Sequence, residues 1–422
     1  MAGTLLENGI SFIKSLFVAM YYGTSAELDA YFLSLAPFRL ISGILIGAIQ
    51  VTLIPRFLEL KEQRGETYGL AIFSTSVLVI MLVVAMSGVV FGLGSSVIAS
   101  YLGVGFEQQL VAFTAFLLKV STILLVLTIF NEMLISLFHA YRQFLFPSVL
   151  PLIGGMCSLG YIVYFRSLGV SSLMYGLIAG AFVQTFLLLV GTRRFHPRNI
   201  SLVSFRHEEI RRTGTLMLPL LLGASFVHTN MIVDQMMAST LPAGSIAALH
   251  YATKLHSVLT QVVIMMVSKA IFPFLAQQAA QDDHEAMKRT FILTIKRTLY
   301  ILLPMSLLIL GGGHSIVKLL FQRGAFNSYS TSATAGAWIA YTVGLPVQAI
   351  GILTARMYNA LQDNTTLMYV SAGGIVLNIV FNVVFMKIWG HIGIAASTSA
   401  VYGVTTIVLL TILHKKIGRL WM

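Results

Sequence analysis

Eight basic residues, Lys14, Arg39, Lys119, Lys254, Lys269, Lys296, Arg297 and Arg356, stand inside stretches that are otherwise long apolar runs. A cation at the centre of a membrane helix costs about 2.5–3.5 kcal/mol on insertion scales. Each must therefore face an aqueous cavity, pair with an acid, or snorkel to a headgroup. Lys269, Lys296 and Arg297 lie near the cytoplasmic ends of their runs and read as snorkelling; Arg356 is near such an end too and reads either way. The remaining four are harder to place at a surface. Lys14 is midway along the first run, Arg39 follows Pro37 where a broken helix can open toward a cavity, and Lys119 sits in the outer half of its helix. Lys254 belongs to HYATKLHS, with His250 and His256 on neighbouring faces. Gathered in one chamber, such cations suit an anionic substrate, most naturally a phosphate or pyrophosphate headgroup.

Acids in the apolar runs are fewer. Asp29, in ELDAYF, opens the second run, where an N-cap carboxylate satisfies free backbone N–H groups; it is also a candidate for the chamber. Glu132 and Asp234 either neutralise neighbouring cations as structural ion pairs or carry a coupling cation or proton. A chamber for organic cations would prefer net negative lining, which argues against drug export.

No hydrolytic or redox machinery accompanies these charges. The ten histidines include no HExxH, and no Walker A sequence, nucleophile elbow or dinucleotide fingerprint is present. The LGGGHS string (310–315) lacks the Lys-Ser/Thr ending of a phosphate cradle and reads as an outer loop turn. The expectation is a protein that is not an enzyme, with no metal and no cofactor, whose transport runs on a gradient, the membrane potential or substrate supply.

The elements that must position these residues follow from composition. The 422 residues are 57% hydrophobic and 10% charged, against about 25% charged for a soluble domain. Long unbroken apolar runs exclude a β-barrel, whose strands alternate, and point to an all-α polytopic membrane protein. Twelve helices are expected, at 4–22, 29–58, 67–94, 108–140, 145–165, 170–192, 211–237, 243–276, 288–311, 331–361, 366–387 and 392–413. The first is read as a retained span, because the N-terminus has no basic n-region and Glu7 interrupts it. Cys157, the single cysteine, excludes an intramolecular disulfide.

The net charge of +12 belongs to loops that hold the chain against anionic lipid, and nucleic acid is not an expected partner. Fifteen loop and tail cations fall on one side, among them Arg56, Lys61, Arg64, Arg142, Arg193, Arg194, Arg198, Arg206, Arg211, Arg212 and Arg419. Four fall on the other: Arg166, Lys318, Arg323 and Lys387. That asymmetry places both termini in the cytoplasm.

The polar stretch 195–212 divides the chain into a six-helix lobe at 1–194, a linker at 195–210 and a second lobe at 211–422. A weak repeat supports the division: Pro55 aligns with Pro273 at an offset of 218, and FHAYRQ (138–143) with YNALQD (358–363) at 220. Helices come in even number per lobe, so the repeats are parallel and favour a cavity between lobes. Pro37, Pro55, Pro219, Pro273 and Pro346 are expected breaks that help the lobes move.

Several strings resemble the MurJ (MviN) lipid II flippases of the multidrug/oligosaccharidyl-lipid/polysaccharide exporter superfamily. They are YYGTSAELDAYFLSLAPF (21–38), IPRFLELKEQRGE (54–66), the stretch 216–257 and FQRGAF…GLPVQ…YNALQDNTT (321–366). The resemblance implies a two-lobed, V-shaped fold with a central cavity. Such a fold carries a polyprenyl-pyrophosphate-linked saccharide, lipid II or an exopolysaccharide repeat unit, across the inner membrane by alternating access. It places Lys14 where the family has an arginine of the first helix, Lys254 on the arginine of YADRL, and Asp29 on the Asp of the DA pair. Lys119 and Arg356 fall on basic family positions.

The chain also departs from that pattern. Asn8 stands where an arginine is expected, LISGILIGAIQ replaces LRRxFAEGAF, and Lys for Arg loses bidentate phosphate geometry. Twelve helices are expected where the family usually has fourteen, the absent pair being the one that lines the lipid-tail groove. Two alternatives stay open: a cation-coupled multidrug exporter using Asp234 or Glu132, and a scaffold that recruits wall-synthesis enzymes.

Overall fold

An apolar stretch long enough to cross a bilayer has no water to satisfy its backbone, so it must be helical, and every long element here is. The computed structural model describes residues 2–193, 195, 202–205 and 207–418. Arg194, Arg198, Arg206 and Arg419 of the orientation argument lie outside the described residues, as does the side chain of Pro219. The first half holds α1 (Ala2–Tyr22), α2 (Ala26–Arg64), α3 (Glu66–Leu93), a short α4 (Ser95–Leu102), α5 (Gln108–Ala140), α6 (Leu145–Tyr164) and α7 (Ser171–Thr192). The second holds α8 (Glu208–Ala238), α9 (Ser245–Leu259), α10 (Met266–Ala280), α11 (His284–Phe321), α12 (Ser328–Ala360), α13 (Asn364–Trp389) and α14 (His391–Ile417). A π-helical turn, Thr260–Met265, joins α9 to α10. With α9 and α10 taken as one segment and α4 set aside, these are the twelve expected helices, and among the described residues ten are long and apolar enough to cross a membrane.

The helix boundaries make the duplication visible. α5 and α12 are each 33 residues long and begin at 108 and 328, 220 apart. α3 and α11 begin at 66 and 284, α6 and α13 at 145 and 364, α7 and α14 at 171 and 391. The turns repeat as well: Arg142 after α5 has φ 60° and Gln362 after α12 has φ 58°, both in the left-handed region that non-glycine residues rarely occupy. Two independent sequences adopt one strained turn at one offset, which is the mark of a common parent.

Two expectations about breaks are corrected. LGGGHS does not turn: Gly311–Gly313 lie inside α11, which continues to Phe321. Each glycine weakens a helix by about 0.5–1 kcal/mol, less than an unsatisfied backbone group costs in hydrocarbon. The helix therefore runs on until the polar Gln322, Arg323 and Gly324. Between Arg297 and Lys318 α11 carries no Asp, Glu, Lys or Arg; that length is about 30 Å at 1.5 Å per residue, one hydrocarbon thickness. Lys296 and Arg297, both exposed, thus sit at a membrane boundary, where snorkelling is easy. Pro37, Pro55, Pro273 and Pro346 likewise lie within continuous helices, since membrane helices absorb the lost bond as a bend. The one irregular turn in these segments, Thr260–Met265, contains no proline.

Packing divides the chain into one unit of Met1–Tyr22 with Ala26–Thr240 and another of Gly23–Ser25 with Leu241–Met422. α8 belongs with the first unit because it lies along α2: Met217 joins the core of Ile49, Leu53, Phe57, Leu70, Phe73, Ile129 and Met133. α6 and α7 touch through glycine. A Cβ at Gly154 would meet the Gly180 carbonyl oxygen at 2.9 Å, so only hydrogen there lets the backbones approach. Beside them Asn131 Nδ2 donates to the Ala181 carbonyl at 3.1 Å and accepts at Oδ1 from Thr185 Oγ1 at 2.7 Å. In the second unit Ile271, Leu275, Phe291, Ile295, Leu353, Met357, Tyr358 and Leu409 form the core. Asp363 caps α13 through the Thr366 N–H at 3.1 Å and accepts from Lys416 Nζ at 2.8 Å. Lys416 first, then Thr366, hold its carboxyl down to about 2.

Candidate functional site

α1 packs on α6, and this positions Lys14. Its side chain is half-buried and Nζ donates to Ser158 Oγ at 3.4 Å. The hydroxyl accepts this bond and so helps to fix where the ammonium lies. Ser158 was not among the sequence candidates; a serine in an apolar helix carries no signal of its own.

α2 carries Asp29 and Arg39. Asp29 is 2% exposed and lies in the first turn rather than at the N-cap, because α2 starts at Ala26. The N-cap reading is corrected, although a first-turn carboxylate still meets the positive end of the helix dipole. Arg39 is half-buried. Further along, Gln50 Nε2 donates to Glu132 Oε1 of α5 at 2.6 Å. The recorded partner of Glu132 is thus an amide, not the cation that an ion pair required. Lys119 is exposed on α5, its Cγ 3.9 Å from where a Cβ on Gly92 of α3 would lie. Asp234 is half-buried on α8.

In the second unit α9 presents Lys254, half-buried. His256 Nε2 pairs with Gln348 Oε1 of α12 at 2.9 Å, and its ring centroid lies 5.6 Å from that of Tyr341. Two residues along a helix are about 200° apart, so His256 turns into the unit's core and away from the face of Lys254. His250 and Lys254, four apart, share a face; the three-residue grouping reduces to two. Arg356 is committed elsewhere: Nε donates to Ser268 Oγ at 2.7 Å and the guanidinium lies 6.0 Å from the Phe272 ring centroid. Ser268 is fourteen residues beyond Lys254, roughly 20 Å along the helix, so Arg356 and Lys254 are not brought together.

Sequence reasoning placed Arg56 in a loop; the structure buries it inside α2 at 5% exposure. Nη1 donates to Glu59 at 2.5 Å and Nη2 to Glu209 of α8, and Arg64 lies 4.0 Å from the other oxygen of Glu209. His207 Nδ1 accepts from the Glu209 N–H at 3.2 Å, so α8 starts on a capped, ion-paired turn. The Arg56–Glu59 spacing of three was the available signal; the partner across 153 residues was not. Among the described residues no three His, Cys, Asp or Glu side chains group as a metal site.

Residues 18–421 match the family model described as lipid II flippase MurJ. The chain is 22% identical to the probable lipid II flippase MurJ of Borreliella burgdorferi over 99% of its own length and 82% of that protein. It is 24% identical to that of Thermotoga maritima over 98% and 84%, and 21% identical to the lipid II flippase MurJ of Burkholderia cenocepacia over 98% and 82%. Among solved structures, the lipid II flippase MurJ in its inward closed conformation superposes with a TM-score of 0.85 at 21% identity, covering 99% of this chain and 89% of that one. An inward-facing multidrug resistance transporter of the MATE family gives 0.80 at 14% identity, covering 98% and 95%. Both structures share the fold.

Proposed function

The chain belongs to the MurJ lipid II flippase family, and from that premise we propose that it carries a polyprenyl-pyrophosphate-linked saccharide, lipid II or a related lipid-linked oligosaccharide, across the inner membrane. The family is one of transporters, not enzymes, and its members are multi-pass membrane proteins. The observation that carries the reading is the family match running from residue 18 to 421, which takes in most of the first half and nearly all of the second. Lys14, Arg39 and Lys254 within its apolar runs agree with it, because a diphosphate must be met by cations wherever it enters low dielectric.

Lys14, Arg39 and Lys254 are the residues proposed to contact the diphosphate. Lys14 and Lys254 are half-buried, so their ammonium groups are partly desolvated and interact more strongly than at an open surface. Lys119, exposed on α5, is proposed as an outlying contact, and Asp29 as a carboxylate that orients neighbouring donors. Alternating access is the proposed mode of transport.

The direct test is reconstitution. Purified chain in vesicles loaded with a fluorescent lipid II on both leaflets is expected to expose the inner pool to a membrane-impermeant quencher, while protein-free vesicles retain about half the signal, the share of an inner leaflet. Retention of that half in the presence of folded protein sinks the proposal. Both termini are proposed to be cytoplasmic, from the uneven placing of Lys and Arg. A green fluorescent protein fused after Met422 should then fluoresce, and alkaline phosphatase at the same site should be inactive; the reverse pair of results overturns the orientation.

A further inference from the structure

Gln50 and Glu132 are polar residues of the first unit that neither the cationic contacts nor the packing explains. Gln50 is exposed and Glu132 half-buried, and they are bonded at 2.6 Å across α2 and α5. An amide and a carboxylate left toward hydrocarbon each carry a large penalty, so the surface they share is a wet one. Along α2, Arg39, Gly43, Gly47 and Gln50 recur at spacings of four, four and three, which is a single helix face. Apart from the helix's own nearby backbone and the adjoining residues, nothing lies within 4 Å of where a Gly47 Cβ would start, so the space over this face is open next to the pair.

The chemistry of the face changes along its length. Arg39 offers a guanidinium, suited to a diphosphate. Eleven residues on, about 16 Å at helical rise, the groups on offer are a carboxylate and a carboxamide. Beyond the bond they share, the carboxylate can accept from hydroxyls with its second oxygen, and the amide retains both a donor and an acceptor. That is the inventory for sugar hydroxyl groups, and a poor one for more phosphate, which a carboxylate repels. The distance leaves room for a diphosphate at one end with one or two sugar rings toward the other.

We propose that the Gln50–Glu132 pair contacts the saccharide of the carried lipid and so helps to determine which glycan is accepted. The proposal rests on the transport reading above and names a specificity contact within it. It is tested by binding, with the full chain in detergent and two synthetic ligands: a short-chain prenyl diphosphate bearing a disaccharide, and the same prenyl diphosphate without sugar. Glu132→Ala and Gln50→Leu are each expected to weaken the sugar-bearing ligand about tenfold, the worth of a hydrogen bond to a charged group. Affinity for the sugar-free ligand should change less than about twofold on the same scale. Gly47→Leu keeps the pair and fills the open space above the face; it should give the same selective loss, which covers the case in which removing Glu132 harms folding. Equal weakening of both ligands, or unchanged sugar affinity in all three variants, overturns the proposal. Vesicle transport by the wild-type chain is scored separately, so failure of the transport reading is distinguishable from failure of this contact.

Discussion

Arg56→Ala is expected to destabilise the first unit by about 3–5 kcal/mol, the cost of leaving a buried partner charge uncompensated. Arg56 is 5% exposed and Glu209 9% exposed, so neither can recover water when the other is removed. Arg64, 4.0 Å from Glu209, is more exposed and can make up only part of the loss. The Arg56 Nε has no recorded partner, so even the native arrangement leaves one donor unmet. The pair is therefore better understood as fixing where α8 begins against α2 than as a net source of stability. This has a discriminating consequence: Arg56→Met combined with Glu209→Leu should restore most of what either single variant loses, because desolvation is no longer needed. Thermal unfolding in detergent, followed by a thiol-reactive dye at Cys157, reads all three. Single variants that melt with the wild type would show the pair to be solvent-screened and the argument wrong.

The same residue shows where sequence reading stops. A run of apolar residues bounded by polar ones is local information, and α5 was legible to its last residue at 108–140. A buried ion pair is not local. Arg56 looks like any loop cation until α8 lies along α2 and brings Glu209 against it. The same holds for Ser158, Gln50 and Ser268, the uncharged partners of Lys14, Glu132 and Arg356. Their side chains are common in membrane helices, and only the crossing of two helices gives them a role. Charges in apolar runs could be read as candidates because their cost is high wherever they sit. Which of them are committed, as Arg356 is to Ser268, required the fold. Gly311–Gly313 misled in the opposite direction, since glycines signal a turn in water but not in the middle of a 30 Å apolar layer. Nor does a polar stretch tell which neighbour a helix will choose: packing follows the apolar face, and Met217 of α8 meets the core of α2.

Lys14→Ala and Lys254→Ala are each expected to slow transport of the lipid-linked saccharide by about ten- to hundredfold, the loss of one charge-assisted hydrogen bond worth about 1.5–3 kcal/mol. Both residues lie in continuous helices with cores built by other side chains, so the variants should fold and insert normally. Lys14→Arg and Lys254→Arg are expected to retain or raise the rate, because a guanidinium adds a bidentate grip on phosphate. Ser158→Ala tests placement apart from charge. It removes the 3.4 Å contact that positions the Lys14 ammonium but leaves the cation, and should cost only a fewfold loss, about 1 kcal/mol for one hydrogen bond. If the lysines act only through overall charge, Lys415→Ala, an exposed cation near the end of α14, should slow transport as much as Lys14→Ala. If they are site residues it should not. Rates from reconstituted vesicles at matched protein content decide between the two, and full activity in both alanine variants removes Lys14 and Lys254 from the substrate's path.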